Sequence, residues 1–389
     1  MNDSAIPELS GLGRGALVVG ALGVVASIAG AWLDPAQFYR SYLVAFLYCA
    51  GLSVGCLAVL MICNLTGGGW GVAVRRPLEA GAGMLPLVAL LFVPLLFGLS
   101  HLYTWTQAAT LAADELVRSK RAYLNVPFFV ARAALYFAAW LAMAFLLRRW
   151  SHAQDRTGDL RYADLMRKLS GGGIVLVGFT VTFASFDWVM SLDPRWFSTI
   201  FGLLFLGGQG LGAMAFVVAV AYLLSRRPDY ARALKPTILN DLGNLMLAFV
   251  MIWAYLSFSQ LLIIWAGNLP EEIPWYLRRI SGGWNFVAIG LAIFYFAVPF
   301  LVLLSRMNKR RHRRLAAIAI GILVVRAVDL FFLVAPEFSP ERITAHWLDL
   351  ATLAGLGGVW LTIFVQRMGN APLLAPNDPD LAGALARKH

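Results

Sequence analysis

The chain has 389 residues, of which 60% are hydrophobic and 14% charged, with a mean hydropathy of +0.71. Soluble domains hold roughly 45–50% apolar and about 25% charged residues, so this balance excludes a soluble globular enzyme and a disordered chain. The net charge of +11 would suggest nucleic acid in a soluble protein, but here the basic residues fall between apolar runs, and no nucleic-acid partner is expected.

Ten apolar runs are long enough to cross a bilayer as helices. Residues 1–13, within MNDSAIPELSGLGRG, are polar and not basic, so they read as a cytoplasmic N-terminus rather than a signal peptide. Span 1 covers 14–33. Span 2, 40–64, holds all three cysteines, Cys49, Cys56 and Cys63, at seven-residue spacing. At 1.5 Å rise per residue, neighbours lie roughly 10 Å apart, too far for a disulfide, so they read as small packing residues. Span 3, 78–101, opens on Glu79 and ends on His101, with Tyr103 and Trp105 beyond it. Span 4, 125–148, carries Arg132 within snorkelling or pairing distance of its outer end. Span 5, 170–190, ends near Asp187 and Trp188.

Span 6 is 198–224. Span 7, 241–267, opens on Asp241, and span 8 is 283–305. Span 9, 314–335, contains Arg326 and Asp329, three residues apart and therefore on one helical face. By helix rise, Asp329 lies about 9 Å and Arg326 about 14 Å below the outer end. Span 10 is 346–367, and 368–389 reads as a flexible cytoplasmic tail. The ten-helix transmembrane domain is thus 14–367.

Lys and Arg set the orientation. Twenty-two fall on the side of both termini, eight on the other, and two within spans. This places both termini in the cytoplasm of a multi-pass membrane protein. Spans 2–5 and 6–9 form two groups of the same orientation. Glu79 and Asp241 fall on the second helix of each group, Asp187 and Asp329 on the fourth. The fold class expected is all-α: about ten transmembrane helices, two four-helix bundles (spans 2–5 and 6–9), and flanking helices 1 and 10.

Ionisable residues inside a span are costly and are functional candidates. Glu79, Asp241, Arg326, Asp329 and Arg132 are candidates for a proton path. For Arg326 and Asp329 the readings are an internal ion pair, part of that path, or the charged wall of a cavity. For Glu79 and Asp241 a first-turn dipole or capping role competes. His101 and Asp187, with Tyr103 and Trp188 close by, suit a hydroquinone, which needs an apolar slot and acceptors for its hydroxyl protons; interfacial belt residues are the plainer alternative. Gln209 and Gln260 read as inter-helix hydrogen-bonding residues. The chain has no CxxCH or four-Cys cluster motif and therefore no covalently bound cofactor of its own.

Two long motifs carry a resemblance: SFDWVMSLDPRWFSTIFG, and NDLGNLMLAFVMIWAYLSFSQLLIIWAGNLPEEIPWY. Together with RRPLEA at the start of span 3, they resemble the ActF-type membrane subunits of bacterial alternative complex III, in the wider NrfD/PsrC-like family of polysulfide reductase membrane subunits. The likeness covers roughly 70–300. It implies two four-helix bundles with flanking helices, in a respiratory complex that oxidises quinol and passes electrons to a c-type cytochrome or an oxidase. Quinone or quinol would be the ligand. Haem and iron–sulfur clusters would sit on partners: a multihaem c-type cytochrome, iron–sulfur subunits, a paralogous NrfD-like membrane subunit and, in some complexes, a terminal oxidase. His101 and Asp187 match the family's quinone-proximal residues in kind and side. Glu79, Asp241, Arg326 and Asp329 match its buried polar pathway in type and depth. A secondary transporter and a non-catalytic membrane scaffold of a respiratory complex are the rival readings; Pro86 and Pro94 in span 3 lack the matching pair in span 7 that an inverted-repeat transporter would show.

Overall fold

A computed structural model describes residues 6–370 and 372–381. The described residues are helical with no strand, and ten helices are long and apolar enough to cross a membrane. The protein is an all-α, multi-pass membrane protein. The hydrocarbon core requires this, because a backbone there must satisfy its hydrogen bonds within its own segment.

The spans run Pro7–Leu33, Pro35–Thr66, Gly69–Phe97, Val126–Thr157, Arg161–Leu192, Phe201–Leu224, Pro236–Gly267, Trp284–Leu304, His312–Glu337 and Trp347–Met368. Local chemistry sets many of these ends. Asp34 caps span 2 by accepting from the Gln37 amide, with Pro35 at the first helical position. Asn125 caps span 4 in the same way, and Gly158 ends it at φ 69°. His346 and Asp349 form a reciprocal capping box on span 10.

The start of span 3 departs from the sequence reading. The helix begins at Gly69, not near 78, so Glu79 sits in its third turn. Span 7 begins at Pro236, which places Asp241 in its second turn. Neither acid is in a first turn, so the capping and dipole reading fails for both. Span 3 also breaks at Gly83–Met84, ahead of Pro86, into Gly69–Ala82 and Leu85–Phe97.

Spans 2, 3, 4 and 5 touch in a closed ring, and spans 6, 7, 8 and 9 in a second one. Spans 2 and 6 join the rings and are enclosed on almost every side. Span 10 lies on span 2 and pairs with span 1. Close approach there depends on glycine: a Cβ on Gly355 would come within 2.9 Å of the Gly23 carbonyl carbon and the Val24 nitrogen. The cysteines are free and buried, and Cys56 and Cys63 fill the space over Gly81 and Gly71 of span 3.

The tail differs from its reading as a loose segment. Residues 372–381 fold back under spans 3 and 4. Asp378 pairs with Arg75 at 2.7 Å, and Asp380 accepts from the Gly68 amide at 2.6 Å. Asn377 exchanges hydrogen bonds with Gln154, and Ala375 is buried. The acids of NDPD supply the partners that a buried arginine and a free helix-start amide require. Residues 382–389 lie outside the described residues.

Gly355→Ala should overpack the span 1–span 10 contact and cost about 1–3 kcal/mol. Gly357→Ala, which has open space around its Cβ, should be neutral or slightly stabilising. Thermal unfolding of the two variants in detergent checks the difference.

Candidate functional site

Among the described residues, the candidate acids Glu79, Asp187 and Asp329 form three clusters, each paired with arginine. The first lies on the arginine-rich side. Glu79 accepts from Arg75 Nε at 3.0 Å, Arg76 Nη1 at 2.6 Å and Ser151 Oγ at 2.6 Å. Arg76 also reaches Asp155, and Arg75 reaches Asp378. Glu79 is therefore fully engaged. Asp241 is half-buried and does not join this cluster.

The second cluster lies in the outer half of the first bundle. Arg132 grips Asp187 with both arms, Nε to Oδ2 at 2.9 Å and Nη2 to Oδ1 at 2.8 Å. Tyr136 donates to the same carboxylate at 2.8 Å. The Arg132 guanidinium lies over the Tyr123 ring at 3.8 Å and the Phe128 ring at 4.3 Å. Of the two readings of Arg132, pairing is the one observed.

Three of the four quinone-proximal candidates, Asp187, Tyr103 and Trp188, lie close together, and His101 packs elsewhere. His101 is exposed and stacks on Tyr39, with centroids 5.4 Å apart. Tyr103 is buried and donates to the Trp188 carbonyl at 3.0 Å. Trp188 packs against Phe46, Phe92, Phe137 and Trp140, with centroids 5.3–5.9 Å apart. These rings fill the outer core of the first bundle. Beside this core a second cavity, of about 320 Å³, opens against Tyr123, Phe186 and Met190.

The third cluster is in the second bundle, where the same level is hollow. A cavity of about 540 Å³ opens between spans 6, 7, 8 and 9, within the roughly 300–1,000 Å³ usual for small-molecule sites. Its walls are apolar and rich in aromatics, among them Phe201, Phe205, Trp253, Phe258, Phe296 and Phe332. Arg326 and Asp329 are paired to each other and both line it. The ion-pair and cavity-wall readings of these two residues therefore coincide. Gly208 makes room for the guanidinium, since a Cβ there would strike it.

The remaining polar lining lies toward the outer end. Gln260 accepts from Ser198 Oγ at 3.0 Å and donates to Tyr276 Oη at 3.3 Å. It does bridge elements, as the sequence suggested, and it also faces the cavity. The short helix Ile273–Ile280 contributes Trp275 and Tyr276 to the wall. Trp275 stacks on Trp196 at 4.5 Å. Arg279, from the same helix, lies 3.4 Å over the Trp275 ring, pairs with Glu337 at 2.9 Å and donates to the Leu333 carbonyl. Burial pulls the Arg279 guanidinium down to about 10, with Glu337 opposing that shift, so it stays charged at neutral pH. Arg278 joins Glu337 at 3.2 Å and also pairs with Asp193. These bonds hold the helix across the outer mouth.

The sequence reading missed this clasp, because Arg278 and Arg279 counted there only as loop charges. An Arg pair behind PWY on an eight-residue amphipathic stretch was the available signal. No family model matches the chain, and no curated protein matches it.

Removing one partner of a buried pair leaves an uncompensated charge, so Asp187→Ala should destabilise by about 3–5 kcal/mol. Combining it with Arg132→Met should recover most of that loss. Chemical denaturation in detergent of the two single variants and the double variant measures the coupling.

Proposed function

We propose that this chain is the integral membrane subunit of a bacterial quinol:cytochrome c, or quinol:oxidase, oxidoreductase, and that the second-bundle cavity takes the quinol headgroup. The observation that carries this reading is the aromatic cavity ending on a buried Arg326–Asp329 pair. A quinol is a flat apolar ring with two hydroxyls, and such a site offers flat walls and a proton acceptor at one end. The resemblance of the two long motifs to the ActF-type family supports the same reading. The second motif, from Asn240 to Tyr276, supplies cavity residues from Met251 to Tyr276.

In this reading Asp329 accepts a hydroxyl proton as the quinol is oxidised. Arg326 pairs with that carboxylate and opposes the cost of burying its charge. Gln260 and Tyr276, at the outer end, can hydrogen-bond the second oxygen. Glu337 lies eight residues further along the same helix, about 12 Å toward the outer end by helix rise, on the side where the proton would leave. Quinol oxidation releases two protons and two electrons: Asp329 would take the protons in turn, and haem and iron–sulfur groups on partner subunits would accept the electrons. Glu79, between two arginines, serves the opposite end of the proton route or its stability.

A mild-detergent purification of the tagged chain, with haem staining and peptide identification, tests the assembly. Recovery of a multihaem cytochrome, an iron–sulfur subunit and a second ten-span subunit supports the reading. Recovery of the chain alone and without haem overturns it and turns attention to transport. In the purified complex, Asp329→Asn should lower quinol oxidation by about 100-fold or more, as expected for loss of a proton acceptor, while decylubiquinone binding stays within a few-fold. Unchanged turnover removes Asp329 from the mechanism.

A further inference from the structure

Two arginines on the arginine-rich side stand apart from the clusters described above. Arg148, on span 4, and Arg367, near the end of span 10, are half-buried, and neither has a hydrogen bond or an ion pair among the described residues. Both line one cleft of about 40 Å³ between spans 3, 4 and 10.

The other charges at the cleft are already engaged. Arg76 and Glu79 of span 3 and His152 of span 4 also line it. Glu79, the one acid of the lining, accepts from Arg75, Arg76 and Ser151. Asp155, outside the lining, is bonded to Arg76 and stands 4.0 Å from His152 Nδ1. Arg148 and Arg367 are therefore two like charges that share an opening and repel each other, with no carboxylate to relieve them. An anion in the cleft would supply the missing counter-charge.

Size and level narrow the choice of anion. A water needs about 10–15 Å³ of such space, so the cleft holds roughly three waters, or one phosphate group. It is far below the roughly 300 Å³ at which sites for whole small molecules begin. Both arginines also stand where an apolar run stops: Arg148 follows AFLL in span 4 and Arg367 follows IFVQ in span 10. Phe145, about one turn before Arg148, is 62% exposed. The ends of apolar runs mark the level of lipid headgroups.

We propose that this cleft binds the phosphate of an anionic phospholipid from the leaflet on the arginine-rich side. Arg148 and Arg367 donate to the phosphate oxygens, and the acyl chains run along span 4 past Phe145. The planar guanidinium fork matches phosphate geometry, and basic pockets between membrane helices hold anionic headgroups. Inorganic phosphate presents the same oxygens, but it has no chains to lie on the apolar surface beside the cleft. The site is separate from the second-bundle cavity and does not depend on the quinol reading.

Native mass spectrometry of the delipidated full-length chain in detergent tests the site, with dioleoyl phosphatidylglycerol, dioleoyl phosphatidylcholine or inorganic phosphate added. Wild type should bind one phosphatidylglycerol at least about fivefold more tightly than phosphatidylcholine. Arg148→Gln with Arg367→Gln should weaken that binding by about 30-fold, roughly fivefold per arginine. Arg311→Gln with Arg313→Gln removes the same charge from exposed positions on the same side and should leave it within about twofold. Equal losses in the two double variants, or no loss in the first, overturn the proposal. Displacement of the lipid by millimolar inorganic phosphate assigns the cleft to a free anion and overturns the lipid reading. Each Gln replaces a side chain that has no partner to strand, so the lipid-free melting temperature should hold. A fall in it for the first double variant would show that these arginines serve the fold itself, which also overturns the proposal.

Discussion

A charge in hydrocarbon must find its counter-charge inside the protein, and the buried acids of this chain are organised by that requirement. Glu79 sits between Arg75 and Arg76, Asp187 in the fork of Arg132, and Asp329 beside Arg326. Two of these clusters tie together elements that apolar contact alone would leave free to slide. Arg132 and Asp187 join span 4 to span 5. The Glu79 cluster joins span 3 to span 4 through Ser151 and Asp155, and to the returning tail through Asp378. Between two hydrocarbon-solvated helices the hydrophobic effect gives little drive to associate, so small residues and polar partners set the register.

The pairs differ in what they leave unfinished. Both Asp187 oxygens are bonded, one of them also by Tyr136, and the aromatic rings around Trp188 close over the group. That cluster fits a structural fixture. Arg326 and Asp329 border open space. A charge pair beside a cavity is poised for change, because adding a proton or a ligand there alters the balance of the pair.

Much of the fold was legible because hydrocarbon imposes long apolar runs, and the ring contacts within spans 2–5 and 6–9 follow the grouping by orientation. The depth of Arg326 and Asp329 was also legible, because helix rise is fixed. The start of span 3 was not. Arg75, Arg76 and Glu79 look like the polar mouth of a loop, and only their mutual neutralisation lets the helix run through them. The docked tail was hidden for the same reason, since its partner Arg75 reads as exposed until the helix is extended. The π-helical turn Ala292–Ala297 in span 8 was not legible either, since AIFYFA is an ordinary apolar stretch. The clasp of Arg279 on Glu337 joins residues 58 apart, a distance over which no periodicity speaks.

The assignment of the candidate site to one bundle turns on volume rather than on residue type. Both bundles carry a buried acid on the fourth helix and an arginine beside it. By residue type alone the first is the better ligand site, with Asp187, Tyr103 and Trp188 close together in the outer half. Yet Trp188, Phe92, Phe137 and Trp140 meet there at packing distance, and a closely packed interior admits no added ring without strain. In the second bundle the aromatic side chains stand around an opening instead of meeting across it. The short helix Ile273–Ile280 spans the outer end of that opening, anchored through Arg278 and Arg279 to Glu337 at the end of the helix that carries Asp329. The cover and the acceptor therefore share one rigid element. A shift of that helix on ligand entry would be felt at the mouth and at the acid together.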